Sequence, residues 1–234
     1  MDYDHLGLSE ATRIQNELRG RIGPGPMRHE IRTVAGADIS FNKYETAVYA
    51  GIVVLKFPEL VPLAHALVKV DVYFPYVPGY LAFREVPALL RAWELLPEKP
   101  GVLVVDGHGT AHPRGMGIAA HFGALTGQCT VGCAKNILCG KFEDPPPQKG
   151  SASPIIYKDA QVGWALRSKD RVNPVFVSPG NGMDMDDSLQ LMRRCLGRYR
   201  IPEPTRLAHE AVNRFRTGAL AEGYRAYDDG LFML

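Results

Sequence analysis

Residues 102–109 have the sequence VLVVDGHG: four apolar residues, then an acid, then a histidine between two glycines. A run without polar positions is typical of a strand that is covered on both faces of a sheet. A second apolar run, VAGAD at residues 34–38, also ends in an acid. Carboxylates at the ends of buried strands are costly unless something cationic lies beside them. The two runs therefore predict neighbouring strands that place Asp38 and Asp106 at one edge of a sheet.

Further patterns predict strands and helices on both sides of these two runs. The predicted strands, of which the first three form an antiparallel meander, lie at 33–40, 47–57, 61–74, 102–106, 129–134, 155–157, 162–167 and 173–178. The predicted helices begin at or near Ser9, Glu85, residue 116, Asp184 and Pro204. This order of elements predicts an α/β fold with a mixed central β-sheet and helices packed on both faces. Because no linker or internal repeat is visible, we expect residues 1–234 to form a single domain.

Composition and local sequence argue against a zinc-binding protein and against a membrane-spanning protein. The chain is 46% hydrophobic and 22% charged, with a net charge of +2, which is ordinary for a globular protein and does not by itself indicate nucleic-acid binding. The four cysteines fit no common zinc-site spacing, so we expect buried, reduced thiols. The N-terminus is acidic and no apolar run is long enough to span a bilayer, so we expect a cytoplasmic protein without a membrane partner.

Three acids, Asp38, Glu85 and Asp106, form the strongest candidate site. If the fold brings them together, their repulsion is relieved by divalent cations, and hard oxygen ligands suit Mg²⁺ or Mn²⁺. Taken singly, each acid is better explained as a turn cap or as a surface acid near a helix start. The three together, joined to the motifs below, favour a metal site.

Four other motifs carry chemistry, each with an ordinary alternative. The PYVP element at 75–78 is a stiff loop that either projects Tyr76 as a wedge between bases or packs it on the protein's own surface. The GHG turn at 107–109, with the AHPR sequence at 111–114, either floors a pocket for a flat heterocycle or is a tight turn. Lys135, at a strand end, and His209, on the polar side of a helix, either act on a phosphate or are ordinary surface groups.

Arginines concentrate near the C-terminus, and such a run is usually a solvated surface. Beside a wedge and a metal site it would suit a footprint on a nucleic-acid backbone. The residues concerned are Arg193, Arg194, Arg198, Arg200, Arg206, Arg214 and Arg216.

Taken together and in order, these motifs resemble the endonuclease V family over about residues 9 to 217. The matching segments are VAGADISF (34–41), FPYVPG (74–79), LAFRE (81–85), VDGHG (105–109), AHPR (111–114), GCAK (132–135), VSPG (177–180) and RIPEPTRLAH (200–209). The resemblance implies a ribonuclease H-like fold and recognition of deaminated adenine in nucleic acid. It also implies cleavage at the second phosphodiester 3′ to the lesion, leaving 3′-hydroxyl and 5′-phosphate ends.

Carried over motif by motif, the resemblance also implies roles for individual residues. Asp38, Glu85 and Asp106 would bind Mg²⁺, for which Mn²⁺ could substitute, while Lys135 and His209 would assist at the scissile phosphate. Tyr76 would be the wedge. The substrate-binding residues would be Pro75, Tyr76, Val77, Pro78, Gly79, Gly107, His108, Gly109 and His112.

The sequence thus predicts a Mg²⁺-dependent endonuclease that acts on deoxyinosine-containing DNA in repair, and we expect it to be a monomer. One alternative keeps the chemistry but acts on inosine-containing RNA. A second is a non-catalytic inosine-binding protein, which the presence of all three acids and Lys135 disfavours. An ATP-using phosphotransferase is disfavoured because the chain lacks a Gly-x₄-Gly-Lys-Ser/Thr loop.

Overall fold

A computed structural model describes residues 3–23, 25–27, 30–42 and 45–227 of the chain. Within these residues the strands are β1 (Thr33–Phe41), β2 (Ala47–Lys56), β3 (Pro62–Asp71), β4 (Val102–Val105), β5 (Thr130–Ala134), β6 (Ala152–Tyr157), β7 (Ala160–Leu166), β8 (Val175–Asn181) and β9 (Gly223–Ala226). The helices are α1 (Leu8–Arg19), α2 (Leu81–Leu95), α3 (Ile118–Thr126), α4 (Met185–Arg194) and α5 (Glu203–Arg216).

The strands form one mixed sheet in the order β6-β7-β8-β5-β4-β1-β2-β3-β9. The first three strands are an antiparallel meander, as predicted, because short turns join them. β4 pairs in parallel with both β1 and β5, so the fully apolar run at 102–105 lies in the middle of the sheet. The carboxyl ends of β1, β4 and β5 therefore lie at one edge.

Helices cover both faces of the sheet, which confirms the predicted layers. Alternation along β1 divides its side chains between two cores. Ala35 and Ala37 pack with residues of α1, α2 and α3 on one face. Val34 packs with residues of α4 and α5 on the other. The sheet is thus buried between two helical layers, and α2 and α5 pack on its opposite faces.

Several boundaries differ from the predictions. α1 begins at Leu8 with Gly7 as its N-cap, and no side chain caps it, so Ser9 lies inside the helix rather than opening it. α2 begins at Leu81, which places Glu85 one turn into the helix rather than at its start. The dipole of the first turn therefore favours the Glu85 carboxylate less than the sequence suggested. Strand β9 was not predicted, and β8 extends to Asn181.

The four cysteines match the expectation of buried, reduced thiols only in part. All four cysteines are free, with Cys133 and Cys195 buried and Cys129 and Cys139 half-buried. Burial raises the pKa of the Cys195 thiol to about 12, which keeps that thiol protonated. Among the described residues, no helix combines the length and the apolar character that crossing a membrane requires.

Candidate active site

Two adjacent parallel strands bring Asp38 and Asp106 together. Ala37 of β1 is the register partner of Val105 of β4, and each acid is the next residue along. The Asp106 amide donates to the Ala37 carbonyl at 2.9 Å, so the hydrogen-bond ladder between β1 and β4 continues as far as the two acids. Asp38 is only 6% exposed, so its charge is largely removed from water. The strand-end prediction for these two acids agrees with the geometry.

His209 joins the two acids from helix α5. One oxygen of Asp38, one of Asp106 and a ring nitrogen of His209 all lie within 4.8 Å of one another. His209 Nδ1 donates to Asp38 Oδ2 at 2.8 Å, and its Nε2 accepts from Asn213 Nδ2 at 2.9 Å. The hydrogen bond to Asp38 raises the pKa of His209. The two carboxylates are oxygen donors that fit a divalent metal ion, and the His209 ring would join them as a ligand only by giving up one of its two hydrogen bonds.

Lys135 supplies a fixed positive charge beside Asp106. It follows directly after β5, and its Nζ donates to Asp106 Oδ2 at 2.6 Å. Burial opposes the charged ammonium, but the bond to Asp106 outweighs it and raises the pKa of Lys135. Burial and the neighbouring charge of Asp38 raise the pKa of Asp106 in spite of this lysine. The site therefore retains an excess of buried negative charge.

Glu85 reaches the same region from α2. It is not in the group of atoms within 4.8 Å, although its carboxylate feels the charges of both aspartates. Burial, followed by repulsion from Asp38 and Asp106, raises the pKa of Glu85 to about 8. A third carboxyl group with such a pKa means that the described residues alone do not balance the charge here. A divalent cation would do so, and this is the physical reason that the site fits one.

A cavity of about 310 Å³ opens beside these acids. Glu85 and Asp106 form its acidic wall, and most of the predicted substrate-binding residues face it. The predicted residues that line it are Tyr76, Pro78, Gly79, Gly107, His108 and His112. Pro75, Val77 and Gly109 are not among the lining residues. The remaining wall includes Met116, Ile118, Asn136, Ile137 and Leu138.

The loop that carries Tyr76 is anchored at Gly79. The Gly79 carbonyl accepts from Gln15 Nε2 at 3.0 Å, from His112 Nε2 at 3.1 Å and from Arg114 Nη2 at 2.6 Å. Gly79 has φ +82°, a left-handed conformation that favours glycine. Tyr76 itself is 60% exposed, and its ring lies 6.2 Å from that of Phe41. The loop is thus held at its base while its aromatic residue projects.

The histidines of the cavity are neutral. His112 is buried, and burial together with the charge of Arg114 lowers its pKa to about 4. His112 therefore acts chiefly as a strut that donates to the tyrosine loop. Burial lowers the pKa of His108 to about 4 as well, and its Nδ1 is buried with no partner among the described residues.

The two glycines around His108 have packing roles. Gly107 has φ +148°, and a Cβ there would lie 2.5 Å from Ile118 Cγ2. Gly109 donates its amide to Ser178 Oγ at 2.9 Å, and a Cβ there would lie 2.1 Å from the Pro179 carbonyl oxygen. Gly109 thus supports the floor of the cavity from behind.

A model of the Endonuclease V family matches residues 16–210, which is most of the chain. The chain belongs to the endonuclease V family. Endonuclease V from Streptomyces avermitilis is 41% identical, with a TM-score of 0.87 over 93% of this chain and 96% of that one. The catalytic domain of human endonuclease V is 34% identical, with a TM-score of 0.82 over 91% and 98% of the two chains.

A third relative has been crystallised with nucleic acid. Endonuclease V from Ciona intestinalis, in complex with a 24mer DNA that contains an inosine followed by a ribo-adenosine, is 27% identical. Its TM-score is 0.80 over 91% of this chain and 99% of that one. The comparisons confirm the family resemblance and the ribonuclease H-like fold, and they make this chain a nuclease.

In this endonuclease V, most of the late arginines are used inside the protein, which argues against a continuous backbone footprint. Arg206 forms ion pairs with Glu203 at 2.6 Å and Glu210 at 3.0 Å. Arg193 and Arg200 donate to main-chain carbonyls. Arg216 donates to Asn42 Oδ1 at 2.7 Å. Thr205, which lies one helical turn before His209 on α5, is buried.

Sequence reasoning gave no role to several residues that the geometry brings to the site. Asn213 lies four residues after His209 on α5, and this spacing of one helical turn is the signal that could have identified their contact. Ile137 and Leu138 lie just after Lys135 and are exposed apolar residues at the cavity wall. Gln15 binds the tyrosine loop from 64 residues away, and no local pattern marks such a contact.

Proposed function

We propose that this endonuclease V family member is a Mg²⁺-dependent endonuclease that recognises deoxyinosine in DNA and hydrolyses the second phosphodiester bond 3′ to the lesion. The observation that carries the proposal is the cluster of Asp38, Asp106 and His209 beside a cavity with an exposed tyrosine at its wall. The products would be 3′-hydroxyl and 5′-phosphate ends, and the reaction would serve DNA repair. We propose that residues 1–234 act as one domain and as a monomer.

Asp38, Asp106 and Glu85 are the residues that would hold the metal ion. When bound, a divalent ion supplies an activated water as nucleophile and offsets negative charge at the phosphate. Glu85 supports this assignment because its pKa of about 8 reflects the two aspartates beside it, and a cation would restore its charged form. Mg²⁺ is the proposed ion because the carboxylates are hard oxygen donors, and Mn²⁺ accepts the same donors.

Lys135 and His209 are proposed to act on the phosphate that is cut. The Lys135 ammonium lies 2.6 Å from Asp106 and is 39% exposed, so it can turn toward an anion without leaving the site. There it would offset the charge that develops on the non-bridging oxygens as water attacks phosphorus and the bond to the 3′-oxygen breaks. The bond to Asp38 favours the protonated form of His209, and in that form Nε2 would exchange its contact with Asn213 for the same phosphate and donate a proton or a hydrogen bond there.

The cavity is proposed to receive the extruded base. Its volume of about 310 Å³ is ample for one purine, and its wall combines apolar side chains with the neutral His108 and His112. Tyr76 would occupy the gap that the base leaves, since its loop is anchored at Gly79 and its ring is exposed. Extruding hypoxanthine is cheaper than extruding a normal base because its pairing is weaker.

The test is digestion of a duplex with one deoxyinosine, with the cut position mapped. We expect one cut at the second phosphodiester 3′ to the lesion in Mg²⁺, and none in EDTA or in an undamaged duplex. Asp38→Asn and Asp106→Asn should lose at least 100-fold in turnover. Equal cleavage by either variant and the wild type would exclude the metal assignment.

Inosine-containing RNA is a second candidate substrate, favoured by one observation. The Ciona intestinalis relative was crystallised with an inosine followed by a ribo-adenosine. Only contacts to a 2′-hydroxyl discriminate the two polymers. Three matched oligonucleotides separate the candidates: all DNA, all RNA, and DNA with one ribonucleotide 3′ to the inosine. Faster cleavage of the two substrates with a ribonucleotide would favour the RNA-directed reaction.

A further inference from the structure

Lys135 lies at the point where the pairing of β5 with β8 stops. The last pair in this ladder is Ala134 with Phe176. Just before β8 comes Pro174, which has no N–H to donate across the gap. The Lys135 carbonyl therefore projects beyond the ladder and needs another donor.

Arg200 supplies that donor from the loop before α5. Its Nη2 donates to the Lys135 carbonyl at 2.8 Å and to the Pro174 carbonyl at 2.9 Å. Its Nε donates to the Asn173 carbonyl at 2.9 Å. One planar guanidinium thus joins the two main chains across the gap where the ladder ends.

The contact of Arg200 with the Lys135 carbonyl also bears on the residues that follow Lys135. Asn136, Ile137 and Leu138 are exposed at the cavity wall. Two hydrogen bonds act on Lys135 itself, one from its side chain to Asp106 and one from Arg200 to its carbonyl, and the main chain of the next residue, Asn136, is hydrogen-bonded to the His108 ring. Movement of the Lys135 backbone would therefore move both the ammonium and the adjoining wall.

We propose that Arg200 is a positioning residue that fixes the backbone of Lys135 so that its ammonium meets Asp106 and the scissile phosphate. The inference rests on the function proposed above, because it assigns Lys135 to the reaction. It differs from a phosphate contact by Arg200 itself, the role that the run of late arginines suggested. A guanidinium whose Nε and Nη2 already bind carbonyls has little left for a phosphate.

The two roles predict different kinetics for Arg200→Gln. A positioning role predicts a kcat about 10-fold to 100-fold lower, with KM and the salt dependence of DNA binding unchanged, because misplacement of a catalytic group acts on the transition state. A phosphate contact predicts weaker binding, a salt slope smaller by about one, and an unchanged kcat. That second pattern would overturn the proposal.

A matched control and a conservative variant exclude a general loss of structure. Lys99→Gln is the control, since Lys99 Nζ also donates to two main-chain carbonyls, those of Trp93 and Leu96. These lie at the C-terminal end of α2, whereas Glu85 is near its N-terminal end. It should leave kcat unchanged. Arg200→Lys should recover part of kcat because a lysine can still reach one carbonyl. If Lys99→Gln lowers kcat as much as Arg200→Gln does, the proposal falls.

A readout without substrate separates this inference from the proposed function. Backbone amide order parameters from 15N relaxation at residues 135–138 should fall in Arg200→Gln, while those at residues 131–134 stay as in the wild type. Unchanged order parameters at 135–138 would overturn the inference whether or not the enzyme cuts inosine. Failure of the wild type to cut, with lower order parameters in the variant, would instead refute the proposed function alone.

A double-mutant cycle with Lys135→Ala completes the test. If Arg200 acts through Lys135, then Arg200→Gln should change the single-turnover cleavage rate less than 2-fold in the Lys135→Ala background. A full additional loss in that background would overturn the proposal.

Discussion

Glu85 is a carboxyl group whose surroundings favour its protonated form. Burial and two neighbouring aspartates raise its pKa to about 8, from the usual value near 4.5. Between these two pH values the folded protein holds a proton that the unfolded chain has released, so this group costs stability as the pH rises. This loss of stability applies to the metal-free protein, because a bound cation would stabilise the charged form of Glu85.

Glu85→Gln should therefore stabilise the metal-free protein while it removes activity. We expect the free energy of unfolding to increase by roughly 1–3 kcal/mol at pH 7 in EDTA, and the gain to shrink toward pH 4.5. Cleavage should fall by at least 100-fold. Urea unfolding of both proteins at the two pH values measures the effect. A variant less stable than the wild type at pH 7 would contradict it.

Tyr76 and Tyr73 form a natural pair for testing the wedge. Both are 60% exposed, and they lie three residues apart. Tyr76→Ala should weaken binding to an inosine duplex by about 10-fold or more, because stacking of an aromatic ring on a base is worth about 1–3 kcal/mol. Its melting temperature should stay within about 2 °C of the wild type.

Tyr73→Ala is the control, with unchanged binding expected, and fluorescence anisotropy of a labelled duplex is the measurement. Equal losses in both variants would mean that the exposed aromatic residues contribute only to a general affinity for DNA. A large fall in the melting temperature of Tyr76→Ala with unchanged binding would show that Tyr76 has a packing role instead.

Part of the candidate site could be predicted because strand ends mark it in the sequence. Asp38 and Asp106 each follow an apolar run, and parallel pairing brings such residues together. The bond of Lys135 to Asp106 has the same origin, since β5 lies beside β4. Arg200 contacts the Lys135 carbonyl, 65 positions away, and Gln15 contacts the Gly79 carbonyl, 64 positions away. No pattern in the neighbouring sequence indicates either contact.

At the scale of helices and strands, apolar periodicity identified the elements that have a large buried face. It failed for β9, a four-residue edge strand of sequence GYRA with exposed side chains, which forms only because β3 offers an unpaired edge. It misplaced the start of α1, because the N-cap is a glycine without a side-chain bond. Such features depend on neighbours in space rather than on local pattern.

The seat of α5 on β1 depends on one glycine. A Cβ at Gly36 would lie 1.8 Å from the Pro204 carbonyl oxygen, so any side chain there must displace the start of the helix. Gly36→Ala should lower the free energy of unfolding by about 3 kcal/mol or more, because a rigid backbone cannot yield as a side chain can. It should also lower cleavage, since α5 carries His209.

Gly20→Ala is the matched control for this prediction. Its backbone is helical, and its Cβ would lie 3.4 Å from the Glu17 carbonyl oxygen, an ordinary contact. We expect a change within about 1 kcal/mol and normal cleavage. Chemical unfolding of the three proteins measures the difference. If Gly36→Ala were as stable as Gly20→Ala, close packing of α5 would not be what places His209.

At the scale of the whole molecule, burial favours the neutral form of several histidines. Burial lowers the pKa of His65, His108 and His112 to about 4 and that of His121 to about 3. In the unfolded chain these rings take up protons below about pH 6.5, whereas in the folded protein they do so only near pH 3–4. The unfolded state therefore binds more protons in this window, and stability falls as the pH falls through it.

His121 allows this linkage to be measured at one position. It is fully buried, and its Nε2 bonds to the hydroxyl of Tyr3 at 3.0 Å. Replacing both partners, as Tyr3→Phe with His121→Phe, avoids leaving either one unpaired. Between pH 4.5 and 6, stability of the wild type in EDTA should fall on acidification by up to about 1.4 kcal/mol per pH unit for each such histidine, partly offset by Glu85. The double variant should show a slope smaller by about that amount, with His5→Gln as the control for loss of an exposed histidine. An unchanged slope in the double variant would mean that His121 is already protonated in the folded protein, and that its burial does not set the acid limit of this fold.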